Sequence, residues 1–394
     1  MKSLVQRKTA IPLILITLAL ACVALLPPNA FGVVPPPDGG YPGGNTAEGQ
    51  NALLSRTTGG FNAAIGWQSL RGLTTGSFNT GVGAGTLALN NADQNTATGA
   101  GALLSNTIGS FNTAHGAFAL FTNTEGAGNT ASGVLALFHN TIGNANTATG
   151  EAALLNNTSG NDNTANGDNA LVNNATGEGN VAIGSQVLHS NTSGNSNTAV
   201  GGGALFNSTG NENIAIGFNA GNNVSTASSV ICIGLPGQDV SNSCYIGNIF
   251  NVTSSGGTAV FINSDGKLGT STSSKRFKEE IKPMDKASEA LFVLRPVAFR
   301  YKQEIDPART RQLGLVAEDV EKVSPDLVVR DKEGKPHSVR YDQVNAMLLN
   351  EFLKEHRKVQ ELEKQVEKLA AGLQKVSAQI ELKNPAAQMA ANQN

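Results

Sequence analysis

Three things are scarce in this 394-residue chain: aromatic side chains, at 5%, cysteines, of which there are three, and charge, at 15%. The length leaves room for two ordinary globular domains, but a chain this poor in aromatics and so rich in glycine does not read as a pair of them. The shortage of charge is regional. Between Val33 and Thr272 only Arg56, Arg71 and Lys267 are basic, of 28 Lys and Arg in all, so this part is polar through Asn and Thr. From Ser273 onward the chain is polar through charge. A formal net charge of -2 argues against a general affinity for nucleic acid or anionic membranes. Beyond the N-terminus no apolar run is long enough to cross a bilayer.

At the N-terminus Lys2, Arg7 and Lys8 precede an apolar run from Ile11 to Leu26, followed by Pro27, Pro28 and the small residues Ala30 and Gly32. This predicts a secretory signal peptide over 1–32, cut after Gly32. The alternative is an uncleaved anchor, although the run falls slightly short of the roughly 20 residues a span needs. A lipoprotein cut before Cys22 is disfavoured by Ala19, where leucine is usual, and by the apolar run continuing past the cysteine. The mature protein is therefore expected outside the cytoplasm, secreted or at the cell surface. Cys232 and Cys244 would remain, and they read equally as a disulfide across a short loop or as two small buried thiols. Residues 33–44, with Pro35-Pro36-Pro37 and Gly39-Gly40, read as a flexible leader.

What is plentiful is glycine and asparagine, and both keep time. The pattern Asn-Thr-Ala-x-Gly-x-x-Ala-Leu-x-x-Asn-Thr-x-Gly recurs with its leading Asn at 45, 62, 79, 95, 112, 129, 146, 163, 180, 197 and 213. The steps are 17 residues, with two of 16. A glycine column (Gly49 to Gly217) and a leucine column (Leu53 to Leu205) keep the same phase. So short a fixed period means stacking in one dimension, each repeat burying its face on its neighbours. Seventeen residues are too few for a helix pair, and Gly and Asn at fixed places suit corners with positive φ. One coil of a β-solenoid fits, over 45–250, with short strands such as Thr-Ala-x-Gly side by side up the stack, the Ala and Leu columns inside and the Asn column pairing up the turns. With only about three apolar side chains per coil, worth roughly 1.5–3 kcal/mol each, burial barely offsets the ordering of a coil. This predicts that chains share a core. The threonine column (Thr46, Thr80, Thr96, Thr113, Thr130, Thr147, Thr164, Thr198) reads as ordinary strand surface rather than an ice- or glycan-binding face. His115, His139 and His189 fall at different places in their coils, which argues against a metal site.

After Gly234 the repeat decays. Over 251–272 a β-hairpin is predicted, its two arms flanking Asn263-Ser264-Asp265-Gly266. Residues 273–343 read as a small α+β unit. From 344 to 383 a helix carries Val359, Leu362, Val366, Leu369, Leu373, Val376 and Ile380 at alternating steps of three and four, a coiled-coil seam. The tail 384–394 reads as disordered.

Two resemblances follow. The repeats resemble the heads of trimeric autotransporter adhesins and the shafts of phage tail fibres, in which three chains share a parallel β-roll; the 17-residue step departs from the shorter adhesin period, and no membrane β-barrel follows. The second is carried by Ser273-Ser274-Lys275-Arg276-Phe277-Lys278, Leu294-Arg295-Pro296-Val297, Phe299-Arg300-Tyr301, Gly314-Leu315-Val316-Ala317-Glu318-Asp319-Val320, Val339-Arg340-Tyr341 and Asn345-Ala346-Met347-Leu348-Leu349-Asn350. Over 273 to about 365 the chain resembles the endosialidase-type intramolecular chaperone, the self-cleaving C-terminal domain of phage tail spikes. The resemblance implies a homotrimer folded on this domain, which then cuts itself off between Thr272 and Ser273, with Ser273 as nucleophile and Lys278 as base. Ser274 stands where many members have Asp. A serine hydroxyl needs a base to take its proton, and an amine serves only when neutral. Burial and neighbouring cations disfavour an ammonium, and Lys275 and Arg276 supply such cations. No cofactor or metal is called for. The competing expectation is a structural or adhesive protein whose trimerisation domain stays attached. A surface glycan or protein ligand for the fibre would follow only by analogy.

Overall fold

The computed structural model describes residues 41–250, 252 and 254–383. The signal peptide, the leader up to residue 40 and the tail from 384 lie outside the described residues. The chain divides between residues 253 and 254 into two compact units.

The first unit is a β-solenoid. Thirteen three-residue strands, from β1 (Thr46–Glu48) to β13 (Cys244–Ile246), form one parallel sheet in chain order. Each pairs in register with the next, Ala47 with Ala64 and so on up the stack. The middle residue of each strand points inward. Ala64, Ala97, Ala114, Ala131 and Ala148 are wholly buried, as are Leu70, Leu87, Leu103, Leu120, Leu137 and Leu154 behind them. A side core of Ala88, Leu104, Phe121 and Phe138 packs at one corner, its two phenylalanine rings stacked at 5.1 Å.

This unit closes its core within one chain, contrary to the expectation that the thin coils must share one. The count of apolar side chains left out the asparagines, which are interior. The leading Asn column is buried throughout, and a second column (Asn90, Asn106, Asn123, Asn140, Asn157, Asn174, Asn191) is buried completely. In the first, the Asn62 backbone N–H and Nδ2 both donate to Asn45 Oδ1, at 2.9 and 3.0 Å, and Nδ2 also donates to the Gly76 carbonyl. In the second, Asn123 Nδ2 donates to Asn106 Oδ1 at 2.7 Å and to the Gly126 carbonyl at 2.9 Å. Each amide is satisfied by the coils around it, so its burial does not carry the cost of an unpaired polar group.

The corners also differ from expectation. The glycine column does take positive φ, as at Gly116 (+132°), where an added Cβ would lie 2.4 Å from the Gly133 carbonyl oxygen. The ladder asparagines do not. Instead the leucine column is left-handed, from Leu53 (φ 49°) to Leu205 (φ 49°), a conformation that costs a residue with a Cβ about 1–2 kcal/mol. Full burial of each leucine side chain offsets that cost. The stack begins earlier than the predicted leader boundary. Tyr41–Gly44 form a turn that holds the first coil, with Asn45 Nδ2 donating to the Pro42 carbonyl and the Phe61 N–H to the Gly43 carbonyl, both at 2.8 Å.

In the second unit β14 (Val260–Ile262) pairs antiparallel with β15 (Leu268–Thr270), as the Asn-Ser-Asp-Gly turn predicts. Asn263 Oδ1 accepts from the Asp265 and Lys267 N–H groups to close that turn. A 3₁₀ segment at Asp285–Val293 follows, then the hairpin β16 (Val297–Phe299) and β17 (Gln312–Gly314), helix α1 (Ala317–Val323), and the hairpin β18 (Val328–Arg330) and β19 (Pro336–Val339). Helix α2 (Tyr341–Lys383) closes the described chain; its 43 residues extend about 64 Å. Val320, Leu327, Val328, Val339 and Met347 form a small core. Gly314 leaves room for Tyr341, whose hydroxyl would stand 2.8 Å from any Cβ there and accepts from the Leu315 N–H at 2.9 Å. The fold is mainly β, a solenoid followed by a small mixed region and a C-terminal helix.

Candidate functional site

The stretch from Ser273 to Lys278 folds as a single turn. Lys275–Phe277 form a 3₁₀ helix, with the Phe277 N–H donating to the Ser274 carbonyl and the Lys278 N–H to the Lys275 carbonyl. One such turn between two extended residues brings the ends of the hexad together: Lys278 Nζ lies 3.1 Å from Ser273 Oγ. Arg276 does not join them; its guanidinium lies over the Phe277 ring, 4.5 Å from the centroid. Ser273, Lys275, Lys278, Glu280 and Ile281 line an open hollow. Thr272, Ser273 and Lys278 are all exposed in the single chain.

An amine within hydrogen-bond reach of a hydroxyl is the geometry general-base activation needs. The five-residue spacing carries no such meaning by itself, because only the intervening turn makes Ser273 and Lys278 neighbours.

The other residues singled out in the sequence do not converge. Cys232 and Cys244 are free thiols, the first buried and the second exposed. Cys244 pairs in register with Ile231, and Cys232 with Tyr245. Strand residues alternate faces, so the two sulfurs point to opposite sides of the sheet. Burial pushes the Cys232 thiol up from its ordinary value. His115 sits on an outward strand position, His139 packs edge-on against Phe138 with its pKa lowered by burial, and His189 stacks on Phe206 at 4.7 Å. The threonine column lies on the outer face of the sheet, its members partly or fully exposed.

One constellation escaped sequence reading. Ser288, wholly buried, donates to Glu351 Oε1 and accepts from Asn350 Nδ2 at 2.7 Å. Asn350 Nδ2 also donates to the Asp285 carbonyl at 3.1 Å, and Lys354 Nζ to Glu351 Oε1 at 2.7 Å. The Lys354 ammonium and then the Ser288 hydroxyl hold the Glu351 carboxyl below its usual range. This clamp fastens the 285–293 segment to the base of α2. Its signal was the polar Asn350-Glu351 pair inside an otherwise apolar stretch, uninterpretable without knowing that Ser288 packs opposite.

Comparison with curated proteins and with solved structures finds no match to this chain. A family model does match: residues 273–329 are similar to the chaperone of endosialidase family, and the match opens on Ser273 itself.

Proposed function

We propose that the chain is a secreted, trimeric fibre whose C-terminal unit serves as an intramolecular chaperone and then severs itself before Ser273. The observation that carries this reading is the 3.1 Å approach of Lys278 Nζ to Ser273 Oγ at the first residue of the stretch similar to the chaperone family. Trimerisation is supported by that similarity and by α2, whose seam from Val359 to Ile380 is exposed in the single chain at every position.

In the proposed step Lys278 Nζ takes the Ser273 hydroxyl proton as Oγ attacks the Thr272 carbonyl carbon. The tetrahedral adduct collapses with cleavage of the Thr272–Ser273 C–N bond, and the Ser273 nitrogen receives the proton. An ester between the Thr272 acyl group and Ser273 Oγ remains. Water then adds to the ester carbon, releasing a Thr272 carboxylate and a free Ser273 hydroxyl. Desolvation disfavours an ammonium, so an assembly that covers the 273–278 turn supplies what a base there requires. Cutting would then follow assembly.

Ser273→Ala and Lys278→Ala test the roles. Each is expected to leave a full-length yet trimeric chain on intact-mass measurement and light scattering; cleavage at an undiminished rate in either variant would remove that residue from the chemistry.

A further inference from the structure

The outer face of the solenoid sheet changes character along the stack. Each strand presents its first and third residues outward. From β4 (Thr96–Thr98) to β8 (Thr164–Asn166) those positions are all polar: five threonines in the first column, and Thr98, His115, Ser132, Thr149 and Asn166 in the third. From β9 (Val181–Ile183) to β13 they become Val181, Thr198, Ile214, Ile231 and Cys244 in the first column, and Ile183, Val200, Ile216, Ile233 and Ile246 in the third. Not one is charged. Ile183, Ile214, Ile216, Ile231, Ile233 and Ile246 are 36–46% exposed. A contiguous stripe of β-branched side chains, ending beside Cys244, is a surface that calls for a partner, where scattered exposed apolar residues would need no explanation.

We infer that the β9–β13 face is where the solenoids of two further copies of this chain meet it, through their outer faces and not through a shared core. This rests on the trimer reading above. Three features select a second copy as the occupant. Parallel chains held in register present the same stripe at the same level, so each isoleucine meets isoleucine. The absence of charge leaves no like-charge repulsion to oppose self-contact. The stripe also occupies the last coils before the chain enters the stretch similar to the trimer-forming chaperone family, and the five all-polar coils β4–β8 separate it from Ile65 and Val82, which sit singly on β2 (Ala63–Ile65) and β3 (Thr80–Val82).

Cys244, exposed on this face and free, is a built-in probe. The full chain carrying Ser273→Ala, to keep it intact, and Cys22→Ser is treated with a short bis-maleimide and run on a denaturing gel. Covalent linkage between chains through Cys244 is expected. With Cys244→Ser, a cysteine at Thr147→Cys on the polar coils is expected to link weakly, and one at Leu369→Cys on the α2 seam to link strongly. Ile216→Asp with Ile233→Asp, outward changes that leave the core intact, should cut Cys244 linkage about tenfold while sparing the Leu369→Cys link. Linkage through Leu369→Cys but none through Cys244, with Cys244 still reacting with a monofunctional maleimide, would overturn the inference and leave the trimer standing with this face open to some other partner. Equal linkage at Thr147→Cys would overturn its confinement to the last coils. No linkage at any position would remove the trimer reading itself.

Discussion

The two units of this protein solve the same problem in opposite ways. The solenoid buries its alanine, leucine and asparagine columns within one chain. The C-terminal unit buries five small-core side chains and leaves Val359, Leu362, Val366, Leu369, Leu373, Val376 and Ile380 in the open. The hairpin that opens this unit is equally bare, with Val260, Phe261, Ile262 and Leu268 all exposed. An isolated two-stranded hairpin is at best marginally stable in water. Repetition therefore supplies stability to the solenoid, whereas the C-terminal unit exposes apolar surfaces that the proposed trimer would cover, as it would the β9–β13 face. A stack that closes each coil on the one before still has to start somewhere, and under the proposed trimer the C-terminal unit is suited to setting that register.

The sharpest way to break this contrast is to disturb the close approach of successive coils. Gly116→Ala adds a Cβ at 2.4 Å from the Gly133 carbonyl oxygen in a backbone with φ +132°, and is expected to cost more than about 3 kcal/mol. Thermal unfolding of the solenoid should show it, with no change in the association of α2. Asn129→Leu comes next. Asn129 Nδ2 donates to the Gly143 carbonyl, and its Oδ1 accepts from the Asn146 N–H. The Asn146 N–H would be left buried and unpaired, at about 1–3 kcal/mol, while the Gly143 carbonyl would keep the Asn140 Nδ2 donor. Were this variant as stable as the parent, the ladder would be ornament and the thin-core objection would return.

Val366→Asp with Leu373→Asp should do the reverse. Solenoid melting is expected to stay put while sedimentation shows dissociation. The smallest effect concerns pH. The Ser225 hydroxyl, with the Ala227, Ser225 and Thr226 N–H groups, holds the Asp239 carboxyl well below the usual carboxylate range. A carboxyl depressed on folding contributes stability that is present above its unfolded value of about 3.9 and is lost as pH falls through the lower folded value. Because Asp239 is exposed, solvent screening keeps the effect small. The protection of the Ser225–Ala227 amides, relative to their intrinsic exchange rates, should fall on acidification below about pH 4, and Asp239→Asn should remove that dependence.

Much of this was legible in the sequence because the repeat states its own geometry. The 17-residue phase fixed the parallel register, and the glycine column marked positive φ correctly. What stayed hidden were features that depend on neighbours in the stack. The asparagine column announces its pairing up the turns but not its burial, as at Asn45 and Asn62, and Leu53 at φ 49° is a corner that no propensity announces. At the site, the resemblance named Ser273 and Lys278 but could not show that a 3₁₀ turn joins them, nor that Ser288 locks onto Asn350 and Glu351 across more than sixty residues.

Self-cleavage stands or falls on whether the chain is cut where that turn begins. Intact-mass measurement of the wild-type protein after expression, combined with light scattering, tests it most directly. Two fragments joining at Thr272 and Ser273, with the N-terminal one trimeric, are the expected result. A stable trimer of uncut chains would contradict self-cleavage, and a monomer at micromolar concentration would contradict the assembly on which it depends.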